Sequence, residues 1–226
     1  MLADSHCHLN YPGLIEDQQA VLDRARARGV TAMLNISTRE SEWDAVIATA
    51  DREADVWATI GIHPNEADAH PAIDAARETG LPIVVHTRDA EEDTAAILSD
   101  EMGKGAYGGV IHCFTASAAF ADKALELGLY ISLSGIVTFK NARDLQAIAA
   151  RLPIERLLIE TDAPFLAPVP NRGKTGEPGF VADTAQFVAD LRGVSVGELS
   201  QRTAENFHTL FAKTRLVDTP AAAHRA

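Results

Sequence analysis

Five potential metal ligands stand at the ends of separate apolar, β-branched runs, and this arrangement constrains the fold more than any other feature of the chain. His6 and His8 lie in Ala3-Asp4-Ser5-His6-Cys7-His8, and His86 ends Ile83-Val84-Val85-His86. His112 ends Val110-Ile111-His112, and Asp162 ends Leu158-Ile159-Glu160-Thr161-Asp162. Side chains on a strand alternate between faces, so His6 and His8 project together, with Asp4 one step below them. Two imidazoles from one strand and single ligands from later strands meet at a cation only if the strands are parallel and curve around a common axis. One histidine at a strand end is ordinarily a hydrogen-bonded core residue. Five ligands at the C-terminal ends, where barrel active sites form, point to a metal hydrolase.

The rest of the chain supports an α/β fold of the TIM type. Short apolar runs at 2–9, 31–37, 56–62, 82–86, 109–114, 129–137 and 157–162 read as strands covered on both faces. They recur at roughly the 20–30-residue interval of one βα unit. Helical spacing fills the gaps, with shared faces at Trp43, Val46, Ile47 and Ala50, at Phe120, Ala124 and Leu127, and at Leu145, Ile148, Ala149 and Leu152. Arg28-Gly29, Thr79-Gly80 and Leu127-Gly128 place Gly where helices should stop. A Pro/Gly-rich loop over 163–179 precedes two amphipathic helices near 181–192 and 196–212. A closed barrel of this kind uses about eight strands, so a count of about seven predicts an incomplete one. A single domain over 1–215 is expected, followed by an Ala-rich tail over 216–226 with no core pattern, expected to be disordered.

With 226 residues and 46% hydrophobic content, the chain can bury a substantial core. No apolar run is long enough for a membrane helix and the N-terminus lacks a signal peptide's regions, so a soluble, cytoplasmic protein with no membrane partner is expected. Cys7 and Cys113, the two cysteines, read as reduced packing residues. The net charge of −12 argues against a broad basic surface gripping duplex DNA, while leaving nuclease action through a few cations open.

Histidine and carboxylate ligands suit zinc or manganese, and carboxylate with water also admits magnesium. Such an ion supplies hydroxide at neutral pH, and Asp162 can both bind it and accept the proton of the attacking water. His63, in Gly61-Ile62-His63-Pro64, points to the same rim as a substrate contact or general acid, with loop packing as the alternative. Asp4 and Glu160 suit acceptors that orient the imidazoles. Arg172 and Lys174, in Asn171-Arg172-Gly173-Lys174, and Arg88 are candidates for phosphodiester contacts. His70, His208 and His224 receive no role.

These motifs, together with His86-Thr87-Arg88-Asp89-Ala90, His112-Cys113-Phe114 and Glu160-Thr161-Asp162-Ala163-Pro164, resemble the TatD family of metal-dependent hydrolases within the amidohydrolase superfamily. The resemblance runs from residue 1 to about 215. It implies a TIM-type barrel, a centre for two divalent cations and deoxyribonuclease activity of the 3'-end exonuclease type on DNA or another phosphodiester. It also implies that His6, His8 and Asp162 hold one ion and His86 and His112 the second.

Two departures stand out. The family carries a further strand with a Gly-Glu-x-Gly-Leu-Asp motif, whose glutamate bridges the ions, between the Gly-Ile-His-Pro and His-Thr-Arg segments. Here only 65–81 lie between them, so the fourth βα unit is absent and the barrel should be open or strained. Glu66 and Asp89 are the carboxylates closest to replacing that bridge. The second departure is Gly176-Glu177-Pro178, where the family usually shows Asn-Glu-Pro. Two other readings stay open: a mononuclear amidohydrolase resembling deaminases, with His112 polarising the substrate, and an inactive remnant of the family.

Overall fold

Each apolar run singled out in the sequence forms a parallel strand, and each intervening amphipathic stretch forms a helix. The computed structural model describes residues 1–63 and 72–214, so Glu66, His70, His224 and the expected tail lie outside the described residues. The strands are β1 (Leu2–Cys7), β2 (Val30–Ile36), β3 (Val56–Thr59), β4 (Ile83–Val85), β5 (Gly109–Ile111), β6 (Tyr130–Leu133) and β7 (Leu157–Ile159). The helices are α1 (Gln18–Ala27), α2 (Trp43–Arg52), α3 (Ala72–Thr79), α4 (Glu91–Lys104), α5 (Ala118–Glu126), α6 (Arg143–Arg151), α7 (Val181–Arg192) and α8 (Val196–Leu210). Gly29 and Gly128, at φ +83° and +78°, end α1 and α5 in the left-handed conformation that a side chain would strain. No described helix is long and apolar enough to cross a membrane.

β1, β2 and β5 to β7 are buried on both faces over nearly their whole length, which is why they read as continuous apolar runs rather than alternating ones. Met33, Ile111, Ile131, Leu133, Leu157 and Ile159 pack outward in the cluster that holds the helix faces. Ala32, Leu34, Val110, Tyr130 and Leu158 form the other layer, together with Phe207 and Phe211 from the end of α8 and with Trp57 and Val84. Val110 and His112 are two residues apart, as are Leu158 and Glu160, so this inner layer leads along the strands to the candidate ligands.

Hydrogen bonding orders the strands β3-β2-β1 and β4-β5-β6-β7. The two arcs meet where β7 ends beside β1: Cys7 and Ala163 form a parallel bridge, the Asp162 N–H donates to His6 O at 2.9 Å, and the His8 N–H donates to Ala163 O at 2.8 Å. At the other end no described residues join β3 to β4 as a ladder, and both strands are only partly buried beyond Val56. Among the described residues the fold is therefore an incomplete barrel of seven parallel strands, with no pairing between β3 and β4. This break falls where the sequence lacks the family's fourth βα unit.

Two local expectations need correction. Ile47 is 41% exposed, and the buried face of α2 is carried by Val46 and Thr49. β6 stops at Leu133 rather than running to Val137, because the chain turns there against the loop after β7. A Cβ on Gly135 would stand 2.2 Å from Leu166 O, so the approach excludes any side chain.

Candidate metal centre

β1 delivers both of its imidazoles to one point. His6 Nε2 and His8 Nε2 are 3.3 Å apart, and they lie 3.6 and 3.4 Å from Asp162 Oδ1. Ligands bound 2.0–2.2 Å from a tetrahedral ion stand about 3.4 Å apart, so this triangle has the edges of one face of a coordination shell. Asp162 reaches it from φ +58°, a conformation fixed by its backbone bond to His6 O. His112 borders the same group: donor atoms of His6, His112 and Asp162 all lie within 4.8 Å of one another, and the His6 and His112 rings stack at 3.8 Å. His86 Nδ1 is 3.0 Å from His112 Nε2. All five sequence-predicted ligands thus converge, and His112 adjoins the first triangle as well as His86.

The groups behind the ligands fix their lone pairs. His8 Nδ1 is 3.1 Å from Ile36 O, and His112 Nδ1 is 3.1 Å from Glu160 Oε1, so each ring donates outward and turns Nε2 to the centre. Glu160 Oε1 also accepts the Cys113 N–H at 2.9 Å, which confirms its expected orienting position. Asp4 does not orient an imidazole. One extra residue is accommodated in β1 between Asp4 and Cys7, which breaks the alternation, and Asp4 turns to accept the Thr161 N–H at 2.9 Å and the Thr161 hydroxyl at 2.6 Å. Burial pushes the Asp4 carboxyl up to about 8 despite these bonds.

Burial, with His112, His8 and His86 close by, holds His6 well below the ordinary imidazole range. Burial and His112 likewise lower His86 to about 4. Both rings are therefore neutral at pH 7, as metal ligation requires. Burial disfavours a charged His112, but the Glu160 and Asp162 carboxylates outweigh it and leave His112 above its usual value. The buried His6 Nδ1 and Glu160 Oε2 have no hydrogen-bond partner. Cys7 and Cys113 are free thiols; Cys7 Sγ bonds Leu34 O at 3.4 Å and Cys113 Sγ lies 3.2 Å from Ser134 Oγ.

His63 stands at the half-open side, its ring 4.7 Å from that of His86, and burial with nearby His112 and Arg88 lowers it. Arg88 and Asp89 follow β4 and are exposed. Arg172 lies over the Phe139 ring, with Cζ 3.6 Å from its centroid, and Lys174 Nζ bonds Asn171 Oδ1 at 3.2 Å. Most arginines of this acidic chain, such as Arg24, Arg26, Arg28, Arg77 and Arg151, pair with carboxylates. Among the described residues, Arg88, Lys140, Arg143, Arg156, Arg172, Lys174, Arg192 and Lys213 form no ion pair with a carboxylate, and five of these eight, Arg88, Lys140, Arg143, Arg172 and Lys174, follow the C-terminal ends of β4, β6 or β7.

Sequence reasoning missed two aromatic neighbours. Tyr11 stacks on His8 at 4.6 Å, and Phe165, 51% exposed, is edge-on to both rings. Their signal was an aromatic within three residues of a strand-end ligand. The departure at Gly176 also has a cause: a Cβ there would stand 2.5 Å from Phe165 O. The adjacent Glu177 serves as a bidentate partner of Arg24, at 2.8 and 2.9 Å.

A family model described as TatD-related DNase matches residues 3–72 and 70–212, and the two stretches meet between β3 and β4. The chain is 40% identical over 253 positions to the uncharacterized metal-dependent hydrolase YcfH of Escherichia coli K12, spanning 93% of this chain and 95% of that protein. It is 33% identical over 253 positions to YabD of Bacillus subtilis, another uncharacterized metal-dependent hydrolase, spanning 93% and 99%. Both alignments are longer than this chain of 226 residues, so those relatives carry residues that have no counterpart here. The crystal structure of YjjV, a TatD homologue from Escherichia coli K12, shares the fold with a TM-score of 0.86 at 24% identity, over 93% of this chain and 98% of that one. The chain belongs to the TatD family of metal-dependent hydrolases.

Proposed function

We propose that the protein hydrolyses phosphodiester bonds of DNA, trimming from the 3' end, at a divalent cation held by His6, His8 and Asp162 with His112 and His86 alongside. The observation that carries this reading is the coincidence of the 3.3–3.6 Å donor triangle with five cations that lack a carboxylate partner and follow the same C-terminal strand ends. A bound Mg, Mn or Zn ion would polarise a phosphoryl oxygen and lower the pKa of a water. Asp162 presents Oδ1 to the two histidines and leaves Oδ2 to take the proton of the attacking water. Arg88, Arg172 and Lys174 hold the flanking phosphates. His63, lowered by burial, is suited to a hydrogen-bonding contact with substrate rather than to proton donation.

Elemental analysis of the purified protein, with hydrolysis of DNA labelled at either end under added magnesium or manganese, tests this reading. Bound metal and stepwise loss of the 3' label are expected. Neither metal nor cleavage would identify an inactive remnant. The compact single triangle, in a chain without the bridging glutamate motif, favours a mononuclear amidohydrolase as the second reading. One bound ion with turnover of amides or amines, and none of DNA, selects it.

A further inference from the structure

Between the loop that follows β6 and the loop that follows β7 lies a cleft of about 360 Å³ lined by Phe139, Lys140, Asn141, Val169 and Arg172. Its volume is within the usual range of small-molecule sites. The cleft is built rather than incidental. The Val169 N–H donates to Thr138 Oγ1 at 2.9 Å and ties the two loops together, while Asn171 Nδ2 donates to Asp183 Oδ2 at 2.8 Å and anchors the outer loop to α7. Within it the Arg172 guanidinium carbon sits 3.6 Å from the Phe139 ring centroid, a stacking separation.

We propose that this cleft, on loops that follow the same C-terminal strand ends as the candidate ligands, seats an unpaired nucleobase of single-stranded DNA; the proposal rests on the phosphodiesterase reading above. A guanidinium backed by an aromatic ring is a platform on which any base can stack, because every base offers a π face. Lys140, Arg143 and Lys174, free of carboxylate partners among the described residues, supply cations for the phosphates on either side. Asn141 brings an amide able to meet a base edge. A paired base is covered by its neighbours in the duplex and cannot enter, and a chain of net charge −12 has no broad basic surface to hold a duplex.

Fluorescence anisotropy with a cleavage-resistant phosphorothioate oligothymidylate, compared with the same backbone made abasic, tests the cleft on the metal-loaded protein. Phe139→Ala should weaken oligothymidylate binding about tenfold, leave the abasic strand unchanged and be rescued by Phe139→Trp. An equal loss on both strands, no loss on either, or no binding of oligothymidylate by the parent protein would overturn the proposal. Turnover of bis(4-nitrophenyl) phosphate reads the metal centre separately. Its absence beside base-dependent binding would sink the phosphodiesterase reading alone, and its presence beside an indifferent Phe139→Ala variant would sink the cleft alone.

Discussion

The β7–β1 seam and the β3–β4 opening belong to one sheet, yet they are held by different means. At the seam, backbone bonds from Asp162 and His8 join the strands, Thr161 and Asp4 lock side chain to side chain, and the Ser5 hydroxyl lies 2.9 Å from Ser132 and donates to Ile159 O at 3.1 Å. All of these groups but Asp162 are buried. At the opening, Trp57, Ile83, Val84, Val85, His63 and His86 are partly exposed, and Ile60 is 61% exposed. The candidate ligands divide the same way, with His6, His8, His112 and Asp162 on the closed side and His86 on the open one. A barrel that lacks one unit thus keeps the closed side of its centre intact and concentrates the cost of the deletion where only His86 and His63 depend on the wall.

The largest expected effect tests that division directly. Asp162→Ala should lower manganese or zinc affinity by more than about a hundredfold, beyond what losing a partner of a ligand produces, whereas His86→Ala should cost only about tenfold. Calorimetric titration of both variants decides the matter. Equal losses would mean that the open side contributes fully to the centre.

Stability should follow the same contrast. Thr161→Val removes the hydroxyl that donates to Asp4 and accepts from Ala163 N–H, stranding buried polar groups at a cost of roughly 3 kcal/mol. Val84→Ala in the half-buried β4 should cost about 1 kcal/mol. Urea unfolding midpoints that reversed this order would show that the opening, not the seam, limits stability.

How much of this was legible depends on which physical rule each feature obeys. Short β-branched apolar runs mark all seven described strands, including the half-exposed β3 and β4, and strand-end histidines follow from the same pattern. The gap was readable only through the family resemblance, as a Gly-Glu-x-Gly-Leu-Asp motif absent from 65–81, because the interval from the start of the 56–62 run to that of the 82–86 run is an ordinary one for a βα unit. Asp4 was misplaced because a period of two holds only along a regular ladder, and the irregularity between Asp4 and Cys7 has no signature in Ser5-His6. The Phe139–Arg172 platform joins residues from two loops, and nothing local in either segment specifies the partner. Helical spacing puts Ile47 on the buried face, but the buried side of α2 runs through Val46 and Thr49 and leaves Ile47 at its margin.

Asp4 offers a subtler way to sharpen the comparison, through pH. Its folded pKa of about 8 lies above the ordinary 3.8, so its stabilising contribution is complete below pH 3.8 and is lost as pH rises through 8. The slope is at most about 1.4 kcal/mol per pH unit. Asp4→Asn keeps an acceptor for the His6 and Thr161 N–H groups, and its NH2 donates to the Thr161 hydroxyl oxygen as the O–H of the neutral acid does, reversing the bond that an ionised carboxylate accepts. In chelator, the variant should gain steadily on the parent protein between pH 5 and pH 8 in urea midpoints. A constant difference would mean that the seam holds an ionised carboxylate.

The smallest expected effect is at Ile60, just beyond β3. Open water already surrounds most of its side chain, so Ile60→Thr should change stability by no more than about 0.5 kcal/mol, the usual range for a surface site. That near-silence is informative because the same substitution beside a paired neighbour would remove a buried apolar contact and cost several times more. A loss of that larger size, measured at dilution and unchanged by protein concentration, would mean that part of the chain itself covers the free edge of β3. A loss that grew with concentration would mean that a second copy does. Either result would close the opening, and the contrast with the seam would then lie in what fills the gap rather than in whether it is filled.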